Sequence, residues 1–374
     1  MTQDMRIFRN GPIFDGTQLH HGCAAVFVDG LFARMCSDED HGTAGQIIDL
    51  NGDILSPAYV DLQVNGGDGV LFNHDPSLAT LRRMAKAHRR LGVARILPTL
   101  ITDTRAATQS AIQAVIDAQA AGLAEIAGLH LEGPHLSVVR KGAHDADLIR
   151  PMDQQDVDIL LAAKRNISIL KMTIAPENVS LDQVKTLSQA GILLSLGHTD
   201  ASFETCLKYF NAGASCVTHL FNAMSQLGNR EPGLVGAALR SQDVSAGLIA
   251  DGIHVHPETI KVAMAAKQPG QGSIFLVSDA MAVAGSHHSE FALGGRRIER
   301  RDGRLTLADG TLAGADLDLT TALRVMTTQA DVSLERALCM ATSGPAGFIG
   351  LDWGLSALSD TIRISPDLSA LIPK

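Results

Sequence analysis

The sequence predicts a (β/α)8 barrel joined to a small β-sandwich built from both chain ends. Three observations carry the prediction. Short apolar runs alternate with helix-period segments through the middle of the chain, polar residues stand at the ends of those runs, and both termini read as β structure.

The first part, 1–56, is read as the N-terminal portion of the sandwich. Its β-type runs at 6–8, 24–28 and 46–50 are separated by turn pairs such as Asn10-Gly11, Asp29-Gly30 and Asn51-Gly52. Ser56-Pro57 closes this module, because proline lacks the N–H a ladder needs.

The barrel is expected over 57–290. Its candidate strands are 59–64, 95–100, 126–131, 168–174, 192–196, 214–219, 245–250 and 274–278. Amphipathic segments lie between them. In 76–91, Leu78, Leu81, Met84, Ala85 and Leu91 share one face, and Gly92 ends the helix. A second helix starts at the cap candidate Asp103 and carries Ile112, Val115 and Ile116 at helical spacing. Segments 181–190 and 257–267 follow the same rhythm, the latter opening on Pro257 as first turns allow. A β hairpin at 291–312, with turn signals Gly294-Gly295 and Asp302-Gly303, is expected to make an excursion to the small domain. The final barrel helices fall in 313–345, and 346–374 completes the sandwich.

Composition narrows the function. Hydrophobic residues make up 45% of the 374, which fills a large core, and the formal net charge is −9. Without a long basic run, nucleic acid is not an expected partner. No apolar run reaches the ~20 residues that span a bilayer, so no membrane association is expected. Five scattered cysteines with no CxxC spacing read as reduced thiols, and the start of the chain lacks a signal-peptide pattern, which points to the cytoplasm.

Barrel enzymes place catalytic groups at the C-terminal ends of strands. Here the candidate strands end in Gln63 and Asn65, Glu132, His198, His219, Asp251 and His254, and Asp279. Singly, each has an ordinary explanation: strand-end histidines are commonly hydrogen-bonded core residues, and an Asp at such a place can cap a helix or start a turn. Glu132 is harder to dismiss, since a carboxylate ending a buried strand must be offset by a cation or hydrogen bonds. Jointly, one Glu and two His from three strands make a donor set for a borderline metal with an open position. An Asp from the last strand can then move protons.

Longer strings sharpen this. HLEGP (130–134), KGAH (141–144), LGHT (196–199), THLFNAM (218–224), NREPGLVGAAL (229–239), DGIH (251–254), VSDAM (277–281) and GTLAGA (310–315) occur in that order. Together they resemble the N-acetylglucosamine-6-phosphate deacetylases of the amidohydrolase superfamily, over most of the chain. The resemblance implies that Glu132, His198 and His219 hold one divalent metal ion per subunit, zinc being expected and ferrous iron the alternative. It implies Asp279 as catalytic acid–base and His144 as the group that hydrogen-bonds the substrate carbonyl. Gln63 and Asn65 stand where many superfamily members have a histidine pair. A single ion is therefore expected, with Gln63 contacting the metal-bound water. Ala143, Asn222, Ala223 and Leu312 correspond to substrate contacts. His254 and Arg230 correspond to a phosphate clamp, the arginine reaching in from the neighbouring subunit of a homodimer. The implied reaction releases acetate from a sugar phosphate.

Rival readings are a phosphate-sugar isomerase on the same barrel, another amidohydrolase such as a cyclic-amide hydrolase, and a non-catalytic relative. The first leaves the Glu–His–His–Asp set unexplained, the second lacks THLFNAM…REPG, and the third is expected to have lost a ligand or the Asp. Other features read as structural. Ser286-His287-His288-Ser289 is an exposed lid, His20-His21 has no catalytic meaning, and His135 is a loop residue near the site. Phe8, Phe27, Phe32 and Trp353 serve the small module's core or its contact with the barrel.

Overall fold

The structure, a computed structural model, describes residues 4–38 and 45–373. Its centre is an all-parallel eight-stranded sheet: β1 (Tyr59–Val64), β2 (Val93–Ile101), β3 (Leu129–Glu132), β4 (Leu170–Ile174), β5 (Leu193–Leu196), β6 (Ala214–Val217), β7 (Ser245–Leu248) and β8 (Ile274–Leu276). Each strand pairs with its sequence neighbour, and helices cross outside, so strand sides facing both helices and interior are buried. The ring closes between β8 and β1 through a single parallel bridge, Val64 to Ala280, in place of a full ladder. No helix among the described residues is long and apolar enough to cross a membrane.

All eight expected strands are present, but several end earlier than expected. The ladder of β6 stops at Val217 and that of β8 at Leu276. His219 and Asp279 lie beyond it with φ of 31° and 50°, conformations no strand can hold. The helix over Leu78–Arg90 is capped by Ser77, whose hydroxyl accepts the Thr80 N–H at 3.2 Å. In the next helix, Arg105–Ala120, the cap is Thr104 and not Asp103. Asp103 is otherwise engaged, accepting from the Thr104 N–H at 2.7 Å and the Asn73 amide at 2.9 Å.

The terminal sheets form the small β unit. One has four strands, Leu31–Ser37, Cys23–Val28, Met5–Arg9 and Gln46–Asp49. The other has five and joins both chain ends, since Ile54–Pro57 pairs antiparallel with Thr361–Ile364. Phe8, Ala25 and Phe27 of the first share a core with Ile13 and Leu55 of the second. Trp353 ties this unit to the barrel: its indole N–H donates to the Ala58 carbonyl at 2.7 Å and the Arg95 guanidinium lies 4.8 Å over the ring.

The hairpin region departs from expectation. Strands Glu290–Leu293, Arg296–Arg301 and Arg304–Thr306 make a sheet of their own instead of joining the terminal sheets. Leu293, Ile298 and Leu305 bury against Leu71, Met281 and Val283, over the C-terminal mouth of the barrel. Apolar partners at the mouth, provided by the loops after β1 and β8, hold it there as a roof.

Candidate metal centre and active site

Beneath the mouth, the barrel interior is polar, with a hydrogen-bond network around Thr218. Its hydroxyl lies 2.6 Å from Ser195 Oγ and 2.7 Å from Thr173 Oγ1, and Thr173 Oγ1 is 2.8 Å from His130 Nε2. This network fixes the ends of β3 to β6, from which the site residues project.

Glu132, the last residue of β3, is 2% exposed. Its Oε1 lies 3.1 Å from His198 Nε2 and 3.0 Å from His219 Nε2, and the two Nε2 atoms are 3.1 Å apart. Three donors in a triangle of about 3 Å edges match the face of a tetrahedron, whose edge is about 3.3 Å for bonds of ~2.0–2.1 Å. The donor chemistry fits a borderline divalent ion, with the fourth position left for water. His198 is oriented from behind, because its Nδ1 lies 2.8 Å from the Arg140 carbonyl and so carries the proton. Two buried acceptors beside the triangle, Gln63 Oε1 and Asn65 Oδ1, have no hydrogen-bond partner among the described residues. Such orphaned atoms in a cavity call for a polar occupant.

Asp279 faces this triangle from the end of β8. Its Oδ1 accepts from Asn65 Nδ2 at 2.7 Å and from Gln63 Nε2 at 3.2 Å, and the same Gln63 nitrogen donates to Glu132 Oε2 at 3.1 Å. Gln63 thus bridges the two carboxylates. Burial, aided by the nearby Glu132 charge, pushes the Asp279 carboxyl up to about 6. His198, His219 and Asp279 all have positive φ, 47°, 31° and 50°. Left-handed backbone is unfavourable for such residues and clusters where function demands it.

His144 enters over His198, with ring centroids 4.4 Å apart. Its Nδ1 accepts from the Thr102 hydroxyl at 2.7 Å and faces the Thr102 N–H at 3.4 Å, which leaves the Nε2–H turned to the cavity. Burial and the neighbouring His198 hold its pKa down at about 3, so the ring is neutral. Arg296 of the roof sheet donates to the Ala143 carbonyl and secures this loop.

These groups line one cavity of ≈ 540 Å³, roofed by Met281, Leu293 and Leu312. Ala143, Asn222, Ala223 and His254 line it as well. His254 is held by Asp251, whose Oδ2 is 2.5 Å from Nδ1 and whose Oδ1 accepts the His254 and Ile253 amides at 2.8 Å each. Of the sequence-derived site residues, two do not line the cavity: Gln63 is buried between the Glu132 and Asp279 carboxylates, and Arg230 is exposed on the surface. Glu231 beside it accepts the Phe203 and Gly233 amides at 2.7 and 3.0 Å. His135 is buried under the strand-three loop against the Arg150 carbonyl, away from the cavity, and His287 and His288 are exposed. Sequence reading missed Thr102 and the Arg140 carbonyl; Asn65 it noted only as a missing ligand, whereas it holds Asp279.

The barrel, the Glu–His–His triangle and the adjoining Asp define a metal-dependent hydrolase of the barrel class. The sequence matches the model of the Amidohydrolase family over residues 54–358. The chain belongs to that family. It is 39% identical, over 93% of its length and 88% of the relative's, to N-acetylgalactosamine-6-phosphate deacetylase of Shewanella sp. (strain ANA-3). It is 33% identical to N-acetylglucosamine-6-phosphate deacetylase of Haemophilus influenzae, covering 88% and 86% of the two chains. In structure it superposes on N-acetylglucosamine-6-phosphate deacetylase from Pasteurella multocida with a TM-score of 0.90 at 31% identity, covering 97% and 96%.

Proposed function

We propose that the chain hydrolyses the acetamide of N-acetylglucosamine 6-phosphate to glucosamine 6-phosphate and acetate, in amino-sugar catabolism or cell-wall sugar recycling. The observation that carries this reading is the Gln63 bridge, which holds Asp279 beside the Glu132–His198–His219 triangle in a cavity shared with His144 and His254.

A divalent ion at the triangle supplies Lewis acidity and lowers the pKa of water. The chain's own groups do the rest. Asp279 takes a proton from the water that adds to the acetyl carbon, and the Nε2–H of His144 donates to the oxygen that becomes negative. Asp279 then returns the proton to the sugar nitrogen, and the C–N bond breaks to leave amine and acetate. Gln63 orients the water. His254 and Arg230, the latter from a second subunit, hold the phosphate, so that remote binding energy places the acetyl group.

One ion per subunit follows from the amides Gln63 and Asn65, which bind zinc poorly compared with imidazole. We assign zinc, with ferrous iron as the competing ion, a homodimer and a cytoplasmic location. A second reading, N-acetylgalactosamine 6-phosphate as substrate, is favoured by the Shewanella relative. Acetate release from both phosphorylated sugars and from unphosphorylated N-acetylglucosamine, with and without a chelator, tests the assignment. Equal rates with and without the phosphate overturn the clamp, and chelator-insensitive turnover overturns the metal role.

A further inference from the structure

Strands β8 and β1 are the one adjacent pair of the barrel without a backbone ladder among the described residues. Above the gap, the Asn65 and Gly66 amides reach the Ala280 carbonyl at 2.8 and 3.2 Å. Within it stands the Asp61 carboxylate, fully buried on β1. Its Oδ1 accepts the Ser278 N–H and its own strand's Gln63 N–H, both at 3.2 Å, and Oδ2 lies 3.3 Å from the Ser278 N–H. A side chain thus makes the cross-strand bond that a carbonyl makes elsewhere in the ring.

This is a costly way to close a barrel. Burial opposes the charge, and the bonds from Ser278 and Gln63 only partly offset it. An apolar residue would fill the same space more cheaply. The two amides that Asp61 holds, however, belong to Gln63 and to the residue just before Asp279. Those two side chains must meet at 3.2 Å for Gln63 to bridge the carboxylates.

We propose that Asp61 is a positioning residue whose carboxylate stitches β8 to β1 and so sets Asp279 against Gln63. The role rests on the proton-carrier assignment of Asp279 made above. A shift of about 1 Å at a reacting group costs about 10²-fold in rate, so loosening the stitch acts on kcat more than on binding.

The test uses the metal-loaded protein and the variants Asp61→Ala and Asp61→Asn, each also combined with Asp279→Asn. Asp61→Ala is expected to lower kcat about 10- to 100-fold while KM stays within about threefold. Metal content stays at the wild-type value. Asp61→Asn keeps one acceptor oxygen and recovers at least about tenfold of the loss. In the Asp279→Asn background Asp61→Ala costs less than about threefold, since its target is already gone. An equal loss in both backgrounds, or a wild-type kcat in Asp61→Ala, overturns the role. If Asp61→Ala does not fold, Asp61→Leu, which fills the space without an acceptor, carries the same comparison. A crystal structure of the Asp61 variant decides the matter independently of activity: Gln63 and Asp279 are expected to move out of hydrogen-bond reach, and an unchanged separation overturns the stitch. A wild-type chain that releases no acetate from any of the sugars overturns the deacetylase reading instead.

Discussion

His198 and His219 leave neighbouring strands through the same left-handed backbone turn, φ 47° and 31°, and bring their Nε2 atoms to 3.1 Å. The His198 proton sits on Nδ1, facing the Arg140 carbonyl, so its Nε2 presents a lone pair to the Glu132 carboxylate and to the second imidazole. A carboxylate and two imidazole nitrogens in mutual contact repel unless a proton or a metal cation lies between them, and a divalent cation offsets the repulsion of all three.

Metal loading should therefore stabilise the fold as well as switch on activity. A cation at about 100 times its Kd adds about 2.7 kcal/mol by linkage. Removing metal with a chelator is expected to lower the melting temperature and abolish acetate release, with both restored by zinc. His198→Asn should lose the metal and the thermal response together. A melting temperature indifferent to chelation would contradict the site.

As the proposed general base, Asp279 is expected to set the acidic limb of the rate profile. A general base must be ionised, and this carboxyl, raised to about 6, gains its proton as pH falls through that value. In the metal-loaded protein, where the bound cation favours the carboxylate, the rate kcat/KM is expected to decline tenfold per unit on an acidic limb that lies below about pH 6. Asp279→Asn should keep its metal, lose at least about 10² in kcat and lose the limb. Full turnover in that variant would mean that another group carries the proton.

How much of this was legible in the sequence differs by residue. Glu132, His198, His219 and Asp279 were readable because each ends an apolar run, and the strings around them fixed the grouping. Their supports were not. Ser278 and Asp61 are 217 residues apart, His198 and the Arg140 carbonyl 58, and His144 and Thr102 42, and no periodicity links such partners. The eight strands were legible for the same reason as the ligands, but the ends of β5, β6 and β8 were not, since the left-handed turns that follow them fall on His198, His219 and Asp279 and not on glycine. The roof sheet was readable as a hairpin and not as a roof. Its destination depends on Leu71, Met281 and Val283, which only the folded mouth gathers.

His144 is expected to act as a neutral donor throughout the working pH range, because its pKa is held near 3. Its aim depends on Thr102. Removing the hydroxyl in Thr102→Val should cost about tenfold in kcat, near the 1–1.5 kcal/mol of a lost hydrogen bond, with little change in KM. His144→Asn should cost more, about 10²-fold, in line with losing an oxyanion donor. A pH profile of wild-type enzyme with a limb that disappears in His144→Asn would contradict the neutral role.

Arg230 lies outside the cavity of its own chain, whereas His254 lines it, so one subunit offers only half of the proposed clamp. If the arginine belongs to the neighbouring site, Arg230→Ala should raise KM for the phosphorylated sugar by about 10- to 100-fold, the worth of a charged hydrogen bond, and leave the unphosphorylated sugar unaffected. The decisive measurement is complementation. Arg230→Ala contributes an intact Asp279, and Asp279→Asn contributes an intact Arg230. Unfolding the two variants together and refolding them as a mixture should form hybrid dimers with one complete site each, giving turnover with a near-wild-type KM that neither variant shows alone. A mixture no better than the sum of its parts would place the arginine in its own subunit's site or in none.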